Sequence, residues 1–284
     1  MPEIKRIEFT KEMKHTHTIL VPMMLPIHFC FLEHILVQEG YRIEVLHNDD
    51  QRIIEEGLRH VHNDTCYPAL LVIGQMMEAL KSGRYDIDHV ALAITQTGGG
   101  CRASNYIHLL RKALIQAGFS QVPVISVNFS HLEKNSGFHL TPKLLVKLAA
   151  GFLYGDVLMW LGNQLKPYEI EQGTCDRLTK AWIQTLCDQM DSLRFTHIRK
   201  NVTQIVQAYG AVPRSSQTKI KVGIVGEIYM KYAPLGNRRL EEFLIKEGCE
   251  PVVSGVLDFA LYCLENAKID YEYYDRNKKA AKLA

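Results

Sequence analysis

Short apolar runs alternate with helix-periodic stretches through the first half of the chain. His17–Val21 and Arg42–Leu46 read as strands, and between them Ile27–Gln38 has helical periodicity and stops at Gly40. A short helix is expected over Asp50–Gly57, and His60-Val61-His62 reads as a brief third strand. Leu70, Leu71, Ile73, Met77 and Leu80 fall on helical spacing within Tyr67–Ser82. His89–Ile94 is a continuous apolar run, the signature of a strand buried on both faces of a parallel sheet. Ser104–Ala117 returns to helical spacing and Val122–Val127 to a strand. Strand and helix in turn, joined by short connections, predict a doubly wound, Rossmann-like α/β lobe over residues 1–140.

Strand signals then stop. Leu144, Leu148, Phe152, Leu158 and later Leu178, Trp182, Leu186, Met190 recur at helical spacing, predicting a helical segment over 141–213. Pro213-Arg214-Ser215-Ser216-Gln217 has linker composition. After it, Lys219–Glu227 reads as a strand, Asn237–Glu247 as a helix closed by Gly248, and Pro251-Val252-Val253 as a second strand. Only one or two helical turns and a Lys/Ala-rich tail are expected beyond Val253, so 214–284 reads as a partial second α/β lobe. A lone strand–helix–strand cannot bury its own sheet face, and a complementary chain, a homo-oligomer or docking on the first lobe would have to complete it.

Composition narrows the function classes. The 284 residues are 47% hydrophobic and 23% charged with a net charge of +2, the balance of a soluble globular protein. Near-neutral charge and the lack of a basic stripe argue against nucleic acid. The charged start Met1–Arg6 is unlike a signal peptide, and no uninterrupted apolar run reaches about 18 residues. The longest, Leu144–Leu165, contains Lys147 and Asp156, so no membrane span is expected and the chain reads as cytoplasmic. Seven scattered cysteines without a CxxC pair suit reduced thiols rather than a disulfide framework, a zinc ribbon or a thioredoxin-type site.

Two of those cysteines fall where a strand hands over to a helix, Cys66 in Asn63-Asp64-Thr65-Cys66-Tyr67-Pro68 and Cys101 in Gly98-Gly99-Gly100-Cys101-Arg102. Strand-to-helix loops of a parallel sheet emerge at one edge, and a helix start favours a thiolate. Gly98, Gly99 and Gly100 would let backbone approach an anionic ligand closely; a tight turn beside a buried thiol is the alternative. A phosphate-binding loop is excluded because no Lys-Ser/Thr follows the glycines. Asp64 or Thr65 and Pro68 fit plain helix capping equally well. Paired soft thiolates suit iron–sulfur or zinc chemistry better than magnesium or calcium. Paired histidines such as His15 and His17 are set aside as solvated. His28, Gln96, Arg102, Asn105, Asn128 and Ser130 are expected along the same edge, with Arg102 facing an anion or neutralising a carboxylate. Gly226-Glu227-Ile228-Tyr229 follows the strand of the second lobe, where Glu227 is a candidate acid–base group.

These three motifs, with Gln96-Thr97 ahead of the glycines and Ala103-Ser104-Asn105-Tyr106 after Arg102, resemble the 2-hydroxyglutaryl-CoA dehydratase-like family. They look closest to the carboxy-terminal dehydratase-like portion of large acyl-CoA dehydratase activase proteins of anaerobes. Thr18–Met23 and Val122–Ser126 fit the same pattern, so the resemblance covers most of residues 10–255. It implies an oxygen-sensitive 4Fe-4S cluster with Cys66 and Cys101 as metal ligands. It also implies low-potential electrons from an ATP-dependent activase, and radical dehydration or reduction of an acyl-CoA. Glu227 and Arg102 become catalytic candidates, and Gly98, Gly99, Gly100, Asn105 and His28 cofactor-pocket candidates.

The chain departs from the family in lacking a Pro-Phe-Gly-Cys-type third ligand. Cys249 and Cys263 do not match that motif, and Cys263 reads as a helix-core residue. A non-catalytic docking module, a truncated remnant, or a zinc or thiol-binding protein on the same cysteines are the rival expectations.

Overall fold

The computed structural model describes residues 6–62, 64–96, 102–128, 133, 135–276 and 282. The protein is α/β, with a four-stranded parallel sheet and many helices. It divides into two compact units, Met1–Val146 with Glu227–Arg239, and Lys147–Gly226 with Leu240–Ala284. The helical segment and the last strands thus share a unit, and a piece cut from the expected second lobe belongs to the first.

In the first unit α1 (Met13–Thr16) precedes β1 (Thr18–Pro22), α2 (Pro26–Gln38), β2 (Arg42–Leu46), α3 (Arg52–His60) and α4 (Tyr67–Lys81). β3 (Val90–Thr95), α5 (Tyr106–Gln116) and β4 (Val124–Val127) follow. The strand order is β2-β1-β3-β4, with β1 pairing in parallel to both β2 and β3. The chain therefore builds outward to one side of β1 and then, from β3, to the other. That reversal is where ligand crevices form in open parallel sheets.

β3 is the central apolar run, buried from Val90 to Ile94. α4 is more unusual, because every residue from Pro68 to Leu80 is buried. A helix apolar all round needs neighbours on all sides. α3 supplies one by direct backbone approach at Gly57 and Gly74, and α5, β1 and β2 supply others. His60-Val61-His62 forms no strand. α3 runs on to His60 instead, held by Glu56, which pairs with Arg59 at 2.7 Å and His60 at 3.2 Å one turn on. Gly40 ends α2 at φ 84°, a left-handed conformation that glycine adopts without penalty.

Arg111 of α5 is buried and donates to both carboxylate oxygens of Glu133 at 2.7 Å. Burial pushes the Glu133 carboxyl up. The Arg111 hydrogen bonds and the Arg111 and Arg6 charges outweigh this and hold it below the ordinary carboxylate range. A lowered folded value stabilises fully above the unfolded pKa and is lost as pH falls through the folded one. Glu133→Gln should therefore melt several degrees below the parent near neutral pH. The gap should close well below about pH 4. Thermal melts across that range check this, and a gap that persists in acid would mean that the pair is not its source.

The first unit is completed by α9 (Ile228–Tyr232) and α10 (Pro234–Asn237); Tyr229 of α9 and Ala233, between the two helices, join the core cluster around α4. The expected helix over Asn237–Glu247 is broken because Arg238 and Arg239 both take left-handed φ, 54° and 56°. Helix α11 starts only at Leu240 and runs to Lys246.

The second unit holds most of α6 (Pro142–Leu165), α7 (Thr174–Met190), α8 (Ile198–Gly210), α11, and the parallel pair β5 (Lys221–Ile224) and β6 (Glu250–Val253). Tyr154 of α6 donates to Phe195 O at 2.6 Å and accepts from Asn201 of α8 at 2.9 Å, a buried polar bolt. Residues 142–168 are long and apolar enough to cross a membrane by length and composition, yet half of their most apolar window is buried in the protein. Lys147 and Asp156 are themselves buried within it, at 6% and 2% exposure. That is the environment of a core helix, compatible with a soluble protein.

Beyond Val253 the expectation of one or two turns is wrong. α12 (Val256–Tyr274) runs for 19 residues. Asp156 of α6 anchors its start, accepting from Val256 N at 2.8 Å and Leu257 N at 3.0 Å. Cys263 on this helix is exposed, not a core residue.

Candidate functional site

The two cysteine motifs meet at the starts of α4 and α5. Cys66, not Asp64 or Thr65, is the residue immediately before α4, and its side chain does not cap that helix. Its Sγ lies 2.8 Å from the hydroxyl of Tyr106, the first residue of α5. Tyr106 is buried and stands five residues after Cys101 in sequence. Cys101 itself, with Gly98, Gly99, Gly100 and Ser130, lies outside the described residues, as does the side chain of Arg102.

The 3-10 turn Arg102–Asn105 leads into α5 and is tied to the sheet through side chains. Gln96, buried just after β3, donates to Ser104 O at 3.1 Å and accepts from Ser126 Oγ of β4 at 2.7 Å. Asn128 donates to the same Ser126 Oγ at 2.7 Å. Buried Gln96 and half-buried Asn128 thus both find partners at the carboxyl ends of β3 and β4. The relay fixes the turn that follows Cys101. Asn105 is exposed at its end.

The third motif comes to the same unit. Glu227 is exposed and caps α9, accepting from Met230 N at 3.0 Å. Tyr229, two residues on, is buried at 6% exposure with a hydroxyl that finds no partner among the described residues. Burial pushes its phenol up, and the charges of Glu227 and of Tyr67, the neighbour of Cys66, add to this. His28 lies fully buried in α2, at 1% exposure. The structure therefore brings Cys66, Tyr106, Gln96 and the Glu227 segment into one unit, leaving His28 in the core and Asn105 at the surface.

Among the described residues no three His, Cys, Asp or Glu side chains lie close enough to hold a metal ion. What they offer is one soft thiol, a phenol in contact with it and an orphaned buried hydroxyl on the same unit. Among the described residues the only cysteine of the two motifs is Cys66, so the donor set there amounts to a single thiol ligand. A separate pocket of about 490 Å³ at the amino ends of β1 and β3 is lined by His15, Arg42, Arg84, Asp86 and His89 and contains no thiol. Sequence reading included Tyr106 and Ser126 in its motifs but gave neither a role. Family models, characterised proteins and solved structures give no match to this chain.

Proposed function

We propose that this chain is an iron–sulfur protein of the 2-hydroxyacyl-CoA dehydratase type, with Cys66 and Cys101 as protein ligands to a 4Fe-4S cluster. The observation that carries this is the 2.8 Å contact between Cys66 Sγ and the Tyr106 hydroxyl. It sets the helix start of one cysteine motif directly against the helix that follows the other. When bound, such a cluster supplies one-electron chemistry at low potential. Electrons would come from an ATP-dependent activase and serve radical dehydration or reduction of an acyl-CoA.

The chain's own residues have definite tasks in this reading. Cys66 offers a half-buried sulfur at a helix start. With that sulfur deprotonated, Tyr106 is the donor in their hydrogen bond and withdraws charge from it. Gln96, Ser126 and Asn128 hold the Arg102–Asn105 turn against the sheet. Glu227 orders α9 as its cap and so positions the Tyr229 side chain.

Protein purified without oxygen is expected to contain iron and acid-labile sulfide in equal amounts, with a visible absorption that bleaches on reduction. Cys66→Ala and Cys101→Ala should each lose the cluster. Tyr106→Phe should keep it, with a reduction potential lowered by tens of millivolts as one hydrogen bond to sulfur disappears. A protein that stays free of iron after anaerobic reconstitution, or that binds it equally well without Cys66, would overturn the proposal.

A further inference from the structure

α12 presents two apolar faces, and among the described residues only one of them is used. Leu257, Leu264 and Tyr271 are half-buried and Ala267 is buried, and at about 100° per residue these lie along one side of the helix. On the opposite side Phe259, Tyr262, Asn266, Ile269 and Tyr273 recur at alternating steps of three and four residues. Their apolar members stand open to solvent, with Phe259 and Ile269 at 42%, Tyr262 at 62% and Tyr273 at 74% exposure. Steps of three and four residues give the spacing of a coiled-coil seam, and a single Asn within such a seam sets register.

Charge beside the seam selects the occupant. Glu265 and Glu272, both exposed, run along one flank, and Asp270 lies on the other. Lys268 pairs with Glu265 at 3.8 Å, a turn further round from the seam. A second copy of α12 would set these carboxylates against their own kind in either orientation, which costs free energy and rejects the pairing. We propose that this face docks an amphipathic helix of a partner protein, one with an apolar seam and lysine or arginine flanks. The proposal goes beyond the cluster reading and does not depend on it.

The seam from Phe259 to Tyr273 is about two heptads, so the contact is small and its affinity modest, on the order of 10 μM. The probe is a synthetic three-heptad helical peptide, with Leu at the seam except for one Asn and Lys at both flanking positions. Its counterpart has Glu in place of every Lys. Fluorescence anisotropy on the full chain at low salt should show the Lys peptide binding and the Glu peptide binding at least about tenfold more weakly. Tyr262→Ser and Ile269→Ser, on exposed positions, should weaken the Lys peptide by about tenfold each while leaving the thermal melt in place. Three results would overturn the proposal. One is no binding of the Lys peptide, and another is equal binding to the two serine variants. The third is a sedimenting dimer that Tyr262→Ser converts to monomer, since the occupant would then be a second copy.

Discussion

Gly74→Ala is expected to destabilise the first unit by about 2–3 kcal/mol, although alanine is the better helix former. A methyl group at this position would lie 2.1 Å from the carbonyl oxygen of Ile53 and 2.9 Å from the amide nitrogen of Gly57. Both obstacles are backbone and cannot rotate aside. Gly57 meets the same restriction from the other helix, where an added carbon would be 2.4 Å from Leu70 O. The two glycines are thus the place where α3 and α4 touch main chain to main chain. Gly210→Ala is the control. It sits at the end of α8 with nothing within 4 Å, and is expected to be neutral or stabilising by up to about 1 kcal/mol. Urea unfolding of the three proteins decides the matter. Equal midpoints for Gly74→Ala and the parent would mean that the helices do not cross at this distance. Because Cys66 stands at the head of α4, any movement of the crossing also moves the candidate thiol.

Asp156→Ala should release α12 at a cost of about 3 kcal/mol, from two charge-assisted hydrogen bonds to half-buried amides. The carboxylate is 2% exposed and takes the first two amides of α12, the groups a helix start leaves without partners. Gly255 allows the approach, since a side chain there would begin 2.6 Å from Asp156 Oδ2 and 2.7 Å from Trp160 Cζ2. Hydrogen exchange is the direct readout. Amides of α12 should lose protection in Asp156→Ala while those of α4 keep theirs. Asp156→Asn, which retains one acceptor, should fall between. Uniform loss of protection across the chain would instead make Asp156 a general core residue and not the anchor of one helix.

The strands of the first sheet were legible because β1 and β3 are short apolar runs and β2 and β4 are mostly apolar segments between polar stretches. β3 is the plainest, buried wherever its sequence is apolar. α12 was not legible for the opposite reason. Phe259, Leu261, Tyr262 and Leu264 spread around the helix, so no single face stands out until the structure shows which side is docked. The Gly57–Gly74 crossing leaves no periodic trace, since either glycine alone reads as a weak point in a helix. At the candidate site both cysteine motifs were visible, but not what links them. Tyr106 lies 40 residues from Cys66 and belongs to the other motif. The allocation of Glu227–Arg239 to the first unit was equally hidden, because most of α6, then α7, α8, the linker and β5 separate it from everything it packs against.

That return of the chain bears on how the protein is made. More than 150 residues separate the end of α4 at Lys81 from the start of α10 at Pro234, yet Tyr229 and Ala233 cover part of the α4 core. On the ribosome the first unit cannot close when its sheet emerges. At about 5–20 residues per second it waits roughly 5–20 s after β4 with an apolar surface of α4 uncovered. The nascent chain is then a natural client for chaperones. Its synthesis rate between residues 81 and 239, rather than its final stability, would govern how much reaches the native state.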